Sequence, residues 1–221
     1  MHNFKTFTGE ENHSITTSEA LTFLKQFREH YGPEAAAGVF FDKQAMQAIL
    51  DQPEAVGLRY YYGTDMFGQT QLVLVGAKAN RNDLLEGALL KLSMMDPPLN
   101  ESGQYARGQV QHEISLTEAS QLTARFQESL QSGQPKGGFF GKQAMLRLLD
   151  YAECVGVRFF YGAHKDGRRN IVGICVDKFG VAKMEGPSIE FSTPCPPLCG
   201  APNLLNNLAA AELKASTEFA E

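Results

Sequence analysis

Two cysteines near the carboxyl end are the most distinctive pair of reactive residues in the chain. Cys195 and Cys199 enclose the tripeptide Pro-Pro-Leu, and the prolines prevent the helical geometry that would place both sulfurs on one face. The pair has the composition of half a thiolate metal site or of a redox-active dithiol. A structural zinc needs four ligands, and Cys154 and Cys175 stand alone in the sequence. We therefore predict no metal and no cofactor.

Two arginines are the best candidates for binding a ligand. Arg59 and Arg158 each lie among aromatic or aliphatic neighbours and follow a glycine by two positions. In a strand, such an arginine could hold a carboxylate or phosphate with two hydrogen bonds while stacking on Tyr61 or Phe160. The alternative is an ordinary surface arginine paired with a helix carboxylate such as Glu54. The predicted ligand-binding residues are these two arginines and the two rings.

The remaining motifs do not indicate an enzyme. The segment Gly137-Gly-Phe-Phe-Gly-Lys142 is one residue too short for a phosphate-binding loop, and Gln143 stands where such a loop has the Ser or Thr that holds magnesium. His13 and His112 occupy equivalent positions ahead of predicted helices, where a capping role or a contact between units is expected. No nucleophile elbow or metalloprotease motif occurs.

These candidates belong to an internal repeat with an offset of 99 residues. Residues 13–100 align without gaps on residues 112–199, with 29 identities in 88 positions. Phe40-Phe-Asp-Lys-Gln-Ala-Met46 falls on Phe139-Phe-Gly-Lys-Gln-Ala-Met145. The chain is therefore divided into a first repeat at 13–100, a linker at 101–111, a second repeat at 112–203 and a C-terminal helix at 204–221.

Each repeat is predicted to contain two helices followed by three strands. Thr16 with Glu19, and Ser115 with Glu118, have the spacing of a capping box at the first helix. The second helix begins at Asp42 or at its equivalent, with Lys43 facing water, and alternating strands follow with a hairpin between them. This order predicts an α+β fold: two tandem α-α-β-β-β units packed as a pseudo-two-fold pair, each a small antiparallel sheet with helices on one face.

The blocks Phe-Gly-Lys-Gln-Ala and Val-Gly-Val-Arg-Phe-Phe-Tyr-Gly, together with the tail Cys-Pro-Pro-Leu-Cys-Gly, resemble a group of small uncharacterised bacterial proteins. Those proteins are about one unit long, with the same order of blocks and a similar tail. The resemblance covers residues 112–203 well and residues 13–100 in a weaker form that lacks both tail cysteines. It implies that this chain is a tandem duplication, and it implies no particular chemistry.

Composition limits the classes of partner. The formal net charge is −5, with 20 basic and 25 acidic residues, so the chain lacks the basic excess of a protein that binds nucleic acid without sequence preference. No apolar run reaches the length of a membrane span or of a signal-peptide core. We predict a cytoplasmic binding module with a groove between its two repeats, for a small anionic ligand or a protein partner, and a possible homodimer. A redox or thiol-dependent enzyme centred on Cys195 and Cys199 is the alternative.

Overall fold

The computed structural model describes residues 6–33, 35, 37–91, 96–108, 112–190 and 192–207. The helices within these ranges are α1 (Thr17–Tyr31), α2 (Lys43–Leu50), α3 (Leu116–Glu128) and α4 (Lys142–Leu149). The strands are β1 (Ser14–Ile15), β2 (Gly38–Asp42), β3 (Gly57–Thr64), β4 (Thr70–Ala77), β5 (Leu89–Lys91), β6 (Gly137–Gly141), β7 (Gly156–Ala163), β8 (Arg169–Val176), β9 (Ser188–Ile189) and β10 (Thr193–Cys195).

The α+β fold predicted from the sequence is confirmed. The strands form two antiparallel five-stranded sheets, with the orders β1-β9-β8-β7-β2 and β10-β6-β3-β4-β5. Third strands were predicted at 89–93 and 188–192. The first is present as Leu89–Lys91, with residues 92 and 93 outside the described residues, and the second is shorter than predicted, at Ser188–Ile189. Of the predicted C-terminal helix, residues 204–206 form a turn and residues 208–221 lie outside the described residues.

The two copies exchange strands, which was not predicted. Strand β2 of the first copy pairs with β7 of the second, with Phe40 opposite Arg158. Strand β6 of the second copy pairs reciprocally with β3 of the first, with Phe139 opposite Arg59. No strand was predicted at 38–42 or at 137–141, where only the start of the second helix at Asp42 or Gly141 was expected. Each sheet is therefore assembled from both copies.

One core lies between the two sheets. The alternation predicted for β3 is present: Leu58, Tyr60 and Tyr62 face this core, which also takes residues from β7 and β8. Helix α1 packs on β7 and β8, and helix α3 packs on β3 and β4. Each of these two helices thus covers strands of the other copy, and the repeats share one buried interior.

Reciprocal contacts between the two copies also occur at the helix termini. The Lys43 ammonium donates to the carbonyl of Leu149 at the end of α4, and Lys142 donates to the carbonyl of Leu50 at the end of α2. The prediction that Lys43 faces water is therefore wrong, because a cation at a helix C-terminus satisfies a carbonyl that has no partner within its helix. Asp42 caps α2 through a hydrogen bond from the backbone N–H of Ala45, 2.8 Å long.

Candidate functional site

Arg59 is the centre of a buried hydrogen-bond network. Its Nε lies 2.9 Å from Asp83 Oδ1, and neither side chain is exposed to solvent. Its two terminal nitrogens donate to the carbonyls of Leu198, at 3.1 Å, and Arg81, at 2.9 Å. Tyr61 donates its hydroxyl to the other oxygen of Asp83, at 2.7 Å. The carboxylate thus neutralises the guanidinium and accepts a second hydrogen bond from a strand neighbour.

These contacts correct the interpretation of Arg59 and Tyr61 as ligand-binding residues. The guanidinium also lies 5.5 Å from the ring centroid of Phe7 and 6.0 Å from that of Tyr61. All of its surface is thereby covered by protein, so a ligand has no access to it. The carboxylate partner is Asp83, in the loop after β4, and not the helix residue considered from sequence. Arg59 instead holds the tail loop around Leu198 against the first copy.

Arg158, the equivalent residue of the second copy, is in a more open environment. Its terminal nitrogen makes an ion pair with Asp96, whose side chain is 73% exposed, and lies 3.4 Å from the carbonyl of Gly180. The guanidinium is 5.6 Å from the ring centroid of Phe160. This stacking and this ion pair hold Arg158 and Phe160 in place on β7, and their role in ligand binding stays a prediction from the sequence.

The four cysteines form two groups. Cys195 and Cys199 are joined by a disulfide, while Cys154 and Cys175 are free and buried. The Cys175 side chain hydrogen-bonds to Cys154 and lowers the pKa of the Cys154 thiol. Within the described residues, no group of three or more His, Cys, Asp or Glu side chains is placed to hold a metal ion.

A cavity of about 340 Å³ lies beside the disulfide loop, between β3 of the first copy and β8 to β10 of the second. We call it the Arg169 cavity. It is lined by Tyr60, Gly133, Pro135, His164, Arg168, Arg169, Asn170, Glu190, Ser192, Pro194, Pro196 and Pro197. Tyr60 is the contribution of the first copy, and the exchange of strands brings it there.

Arg169 is the most unusual charge in this cavity. The side chain is half-buried, and its guanidinium lies 4.3 Å from the ring centroid of Tyr31 and 5.6 Å from that of Phe126. Helices α1 and α3 supply these two rings. Across the ranges that the structure describes, no carboxylate makes an ion pair with Arg169, whereas Arg59, Arg158 and Arg168 each have one. The cavity therefore holds a cation that aromatic rings position and that forms no ion pair with a described carboxylate.

Opposing polar groups lie deeper in the same cavity. Glu190 is only 2% exposed, and its backbone N–H donates to the carbonyl of His13 at 2.9 Å. The hydroxyls of Tyr60 and Ser192 are 2.9 Å apart. Burial and the charge of Glu190 raise the pKa of the Tyr60 phenol, against the effect of the Ser192 hydrogen bond, so the phenol is neutral and can donate or accept.

The rim of the cavity carries a second arginine and a histidine. Arg168 pairs with Asp166 at 2.7 Å, and both side chains are about half exposed. Burial and, secondarily, the charge of Arg168 lower the pKa of His164, although Asp166 acts in the opposite direction. His164 is therefore neutral at pH 7, and the positive charges here are those of the two arginines, of which Asp166 neutralises Arg168.

The cavity residues differ between the two copies. The 99-residue offset places Phe159 opposite Tyr60, Thr70 opposite Arg169 and Lys91 opposite Glu190 in the alignment. Sequence reasoning missed all three polar positions, because Arg169 follows a turn and Glu190 follows a short strand. The available signal was the difference in charge at equivalent positions, between Arg169 and Thr70 and between Glu190 and Lys91.

The equivalent histidines lie between the copies, as a contact between units requires. His13 accepts a hydrogen bond from the backbone N–H of Gly141 at 3.0 Å. His112 accepts one from the backbone N–H of Asp42 at 3.3 Å and lies 3.2 Å from its carboxylate. Burial, the largest single influence, acts to raise the pKa of Asp42, but the nearby His112 ring and the hydrogen bond from the Ala45 N–H together lower it below its ordinary value.

Comparisons of the chain with protein-family models, with curated proteins and with solved structures gave no match. No helix in the described part of the chain is long and apolar enough to cross a membrane.

Proposed function

We propose that the protein is a binding module for a small organic anion, held in the Arg169 cavity between its two copies. The observation that carries the proposal is Arg169, a half-buried cation that lines a cavity of ligand size and forms no ion pair with any carboxylate in the described part of the chain. A charge removed from water is costly unless a counter-charge or hydrogen-bond acceptor replaces the water. A carboxylate or phosphate group on a ligand supplies both.

The surroundings of Arg169 favour a planar, two-point interaction with that anion. The rings of Tyr31 and Phe126 stack against the guanidinium, which stabilises the cation and fixes its plane. The N–H donors of the Arg169 guanidinium are then held in a fixed orientation. Arg168 lies on the rim of the same cavity, where Asp166 neutralises its charge.

Glu190 narrows the ligand class. Its carboxylate, buried in the same cavity, repels a ligand that carries only negative charge. A ligand that also has an ammonium or another hydrogen-bond donor turns this repulsion into an attraction, and the hydroxyls of Tyr60 and Ser192 can complete its hydrogen bonds. The proposed ligand is therefore a small zwitterion, with its anionic group at Arg169 and its donor group on the side of the cavity formed by Tyr60, Ser192 and Glu190.

The test is a thermal-shift screen of small zwitterions, each beside the matching simple amine and simple carboxylate. We expect zwitterions to raise the melting temperature at millimolar concentration, because a ligand that binds only the folded state stabilises it. Arg169→Gln should weaken the binding of an active compound by roughly 10- to 100-fold, the usual contribution of a charge-assisted hydrogen bond. Tyr60→Phe, which installs the residue that the other copy carries, should weaken it by less.

Tyr161→Phe is the matched control. Tyr161 is also a buried tyrosine of the shared core, but its hydroxyl donates to the carbonyl of Thr70 at 3.3 Å, and it does not line the cavity. Its removal should leave ligand affinity unchanged. The proposal is wrong if no zwitterion stabilises the protein, or if Arg169→Gln and Tyr161→Phe bind an active compound equally well.

A cytoplasmic location, a bacterial origin, a protein partner and a homodimer stay predictions from the sequence. The present proposal needs none of them, because the two copies within one chain supply both walls of the cavity.

A further inference from the structure

The disulfide loop, residues 195–199, is the feature of the second copy that ligand binding does not explain. The equivalent segment of the first copy keeps Pro97-Pro-Leu99 but has Asp96 and Asn100 at the cysteine positions. That segment approaches the other copy, where Asp96 reaches Arg158. The Pro-Pro-Leu segment therefore occurs in both copies, but it is flanked by cysteines only in the second.

Several contacts other than the disulfide hold the loop in place. Arg59 donates to the carbonyl of Leu198 at 3.1 Å, and the backbone N–H of Leu198 donates to Pro194 at 3.1 Å. The backbone N–H of Lys136 donates to the carbonyl of Cys195 at 2.7 Å, and β10 pairs with β6. A cross-link over four residues also restricts the unfolded chain less than a long one does. The sulfur bridge is therefore not needed to place this loop.

The two sulfur-bearing residues differ in access to solvent. Cys195 is the last residue of β10 and is completely buried. Cys199 is partly exposed, as are the flanking Leu198 and Gly200. Disulfide exchange requires a thiolate to reach one of the two sulfurs, so only Cys199 can be attacked without opening the sheet.

We propose that the Cys195–Cys199 disulfide is a thiol-exchange site, with Cys199 as the attacked sulfur and a low-molecular-weight thiol as the reductant. The thiolate forms a bond to Cys199, the Cys195–Cys199 bond breaks, and its electron pair goes to Cys195. Cys195 takes up the proton that the incoming thiol gave up. A second thiol then displaces Cys199 from the mixed disulfide, which yields an oxidised thiol dimer and two protein thiols.

This exchange has a consequence for the Arg169 cavity, which rests on the proposed function. Pro196 and Pro197, enclosed by the two cysteines, line that cavity. Reduction removes the covalent restraint on these two prolines, while Arg59 and β10 keep the loop as a whole in place. Ligand affinity should therefore differ between the oxidised and the reduced protein, and the binding module would respond to the thiol status of its surroundings.

The experiment measures exchange on the folded, ligand-free protein. The oxidised chain is incubated with glutathione or dithiothreitol, quenched in acid, alkylated in denaturant and mapped by mass spectrometry. We expect the peptide that contains Cys195 and Cys199 to become doubly alkylated under conditions in which the protein stays folded. A disulfide that persists in millimolar dithiothreitol until the protein is unfolded would overturn the proposal.

Single-cysteine variants test the direction of attack. In Cys195→Ala the remaining Cys199 should form a mixed disulfide with oxidised glutathione, whereas in Cys199→Ala the buried Cys195 should react at least tenfold more slowly. Equal rates would refute the assignment of Cys199. The double variant Cys195→Ala/Cys199→Ala should remain folded, since the loop has other anchors. None of these readouts involves a ligand, so the exchange site and the zwitterion site can fail separately.

Discussion

Arg59 and Arg158 occupy the same position in two copies of one unit, yet their environments differ. The Arg59 guanidinium is sealed against Asp83 and two carbonyls, with no solvent exposure. Arg158 makes its ion pair with Asp96, a mostly exposed acid from the other copy. The pairing of Arg59 lies within the first copy, while that of Arg158 crosses between copies. The two copies thus share the arginine and differ in where its counter-charge comes from.

Arg59 and Arg158 pair with acids at different positions, and this difference accounts for the presence of a cysteine at position 195 of the second copy. Asp83 aligns with Ala182, so Arg158 has no acid at that position, and Asp96 takes over. Asp96 in turn aligns with Cys195. Because Asp83 already neutralises Arg59, the second copy needs no acid at position 195 to pair with Arg59. The first copy's buried ion pair thus leaves the second copy's tail free to carry a disulfide.

The largest effect is expected from removing each arginine in turn. Arg59→Met leaves the Asp83 carboxylate buried and unpaired, which should lower the free energy of unfolding by about 3–5 kcal/mol. Arg158→Met removes a partly solvated pair and should cost at most about 1 kcal/mol. Urea unfolding of the two variants measures both values.

A double variant keeps this prediction testable if Arg59→Met does not fold. Replacing both partners, in Arg59→Met/Asp83→Leu, removes the unpaired charge and should recover most of the lost stability. Equal losses for Arg59→Met and Arg158→Met, or no recovery in the double variant, would show that the two arginines do not differ as described.

A smaller effect distinguishes the sites of the two equivalent histidines, His112 and His13. His112 faces the Asp42 carboxylate, whereas its equivalent His13 faces the backbone of Gly141. The pKa of Asp42 is lower in the folded state than its ordinary value of 3.8. This carboxylate therefore stabilises the fold above about pH 4, and its contribution is lost as the pH falls further through the folded-state pKa.

Asp42→Asn keeps the helix cap, since asparagine also caps well, and removes the charge. We expect it to lower the free energy of unfolding by less than about 1 kcal/mol at pH 7 and by a smaller amount at an acidic pH below the folded-state pKa of Asp42, where the wild-type carboxylate is itself protonated. Urea unfolding at the two pH values checks this. Glu86→Gln, an exposed acid, is the control, and a deficit that stays constant with pH would contradict the assignment to Asp42.

Much of the fold can be predicted from local sequence patterns, whereas the exchange of strands between the two copies cannot. The capping boxes and the alternation in β3 follow from residue type and spacing, and Thr16 and Glu19 form the full capping box. Strand β2 has five mostly apolar residues that are nearly all buried, so it shows no alternation. Its partner is ambiguous as well, since β3 and β7 both read Val-Gly-x-Arg at their beginning.

The candidate site was harder to predict than the fold. The glycine and aromatic neighbours of Arg59 and Arg158 placed both in strands, but the acid partners Asp83 and Asp96 come from loops far along the chain. Arg169 could not be singled out, since its partners are rings on two helices and its cavity depends on the exchange. Contacts of this kind depend on tertiary assembly, which local spacing does not reveal.

The central claim is that both copies build one ligand site around Arg169. Its most direct test is a nuclear magnetic resonance titration of the isotope-labelled protein with a zwitterion that stabilises it. The account predicts that the largest amide shift changes fall on residues lining the cavity, among them Gly133, Asn170 and Ser192, and that they disappear in Arg169→Gln. Shift changes centred on Arg158 and Asp96, or spread evenly over the surface, would contradict it.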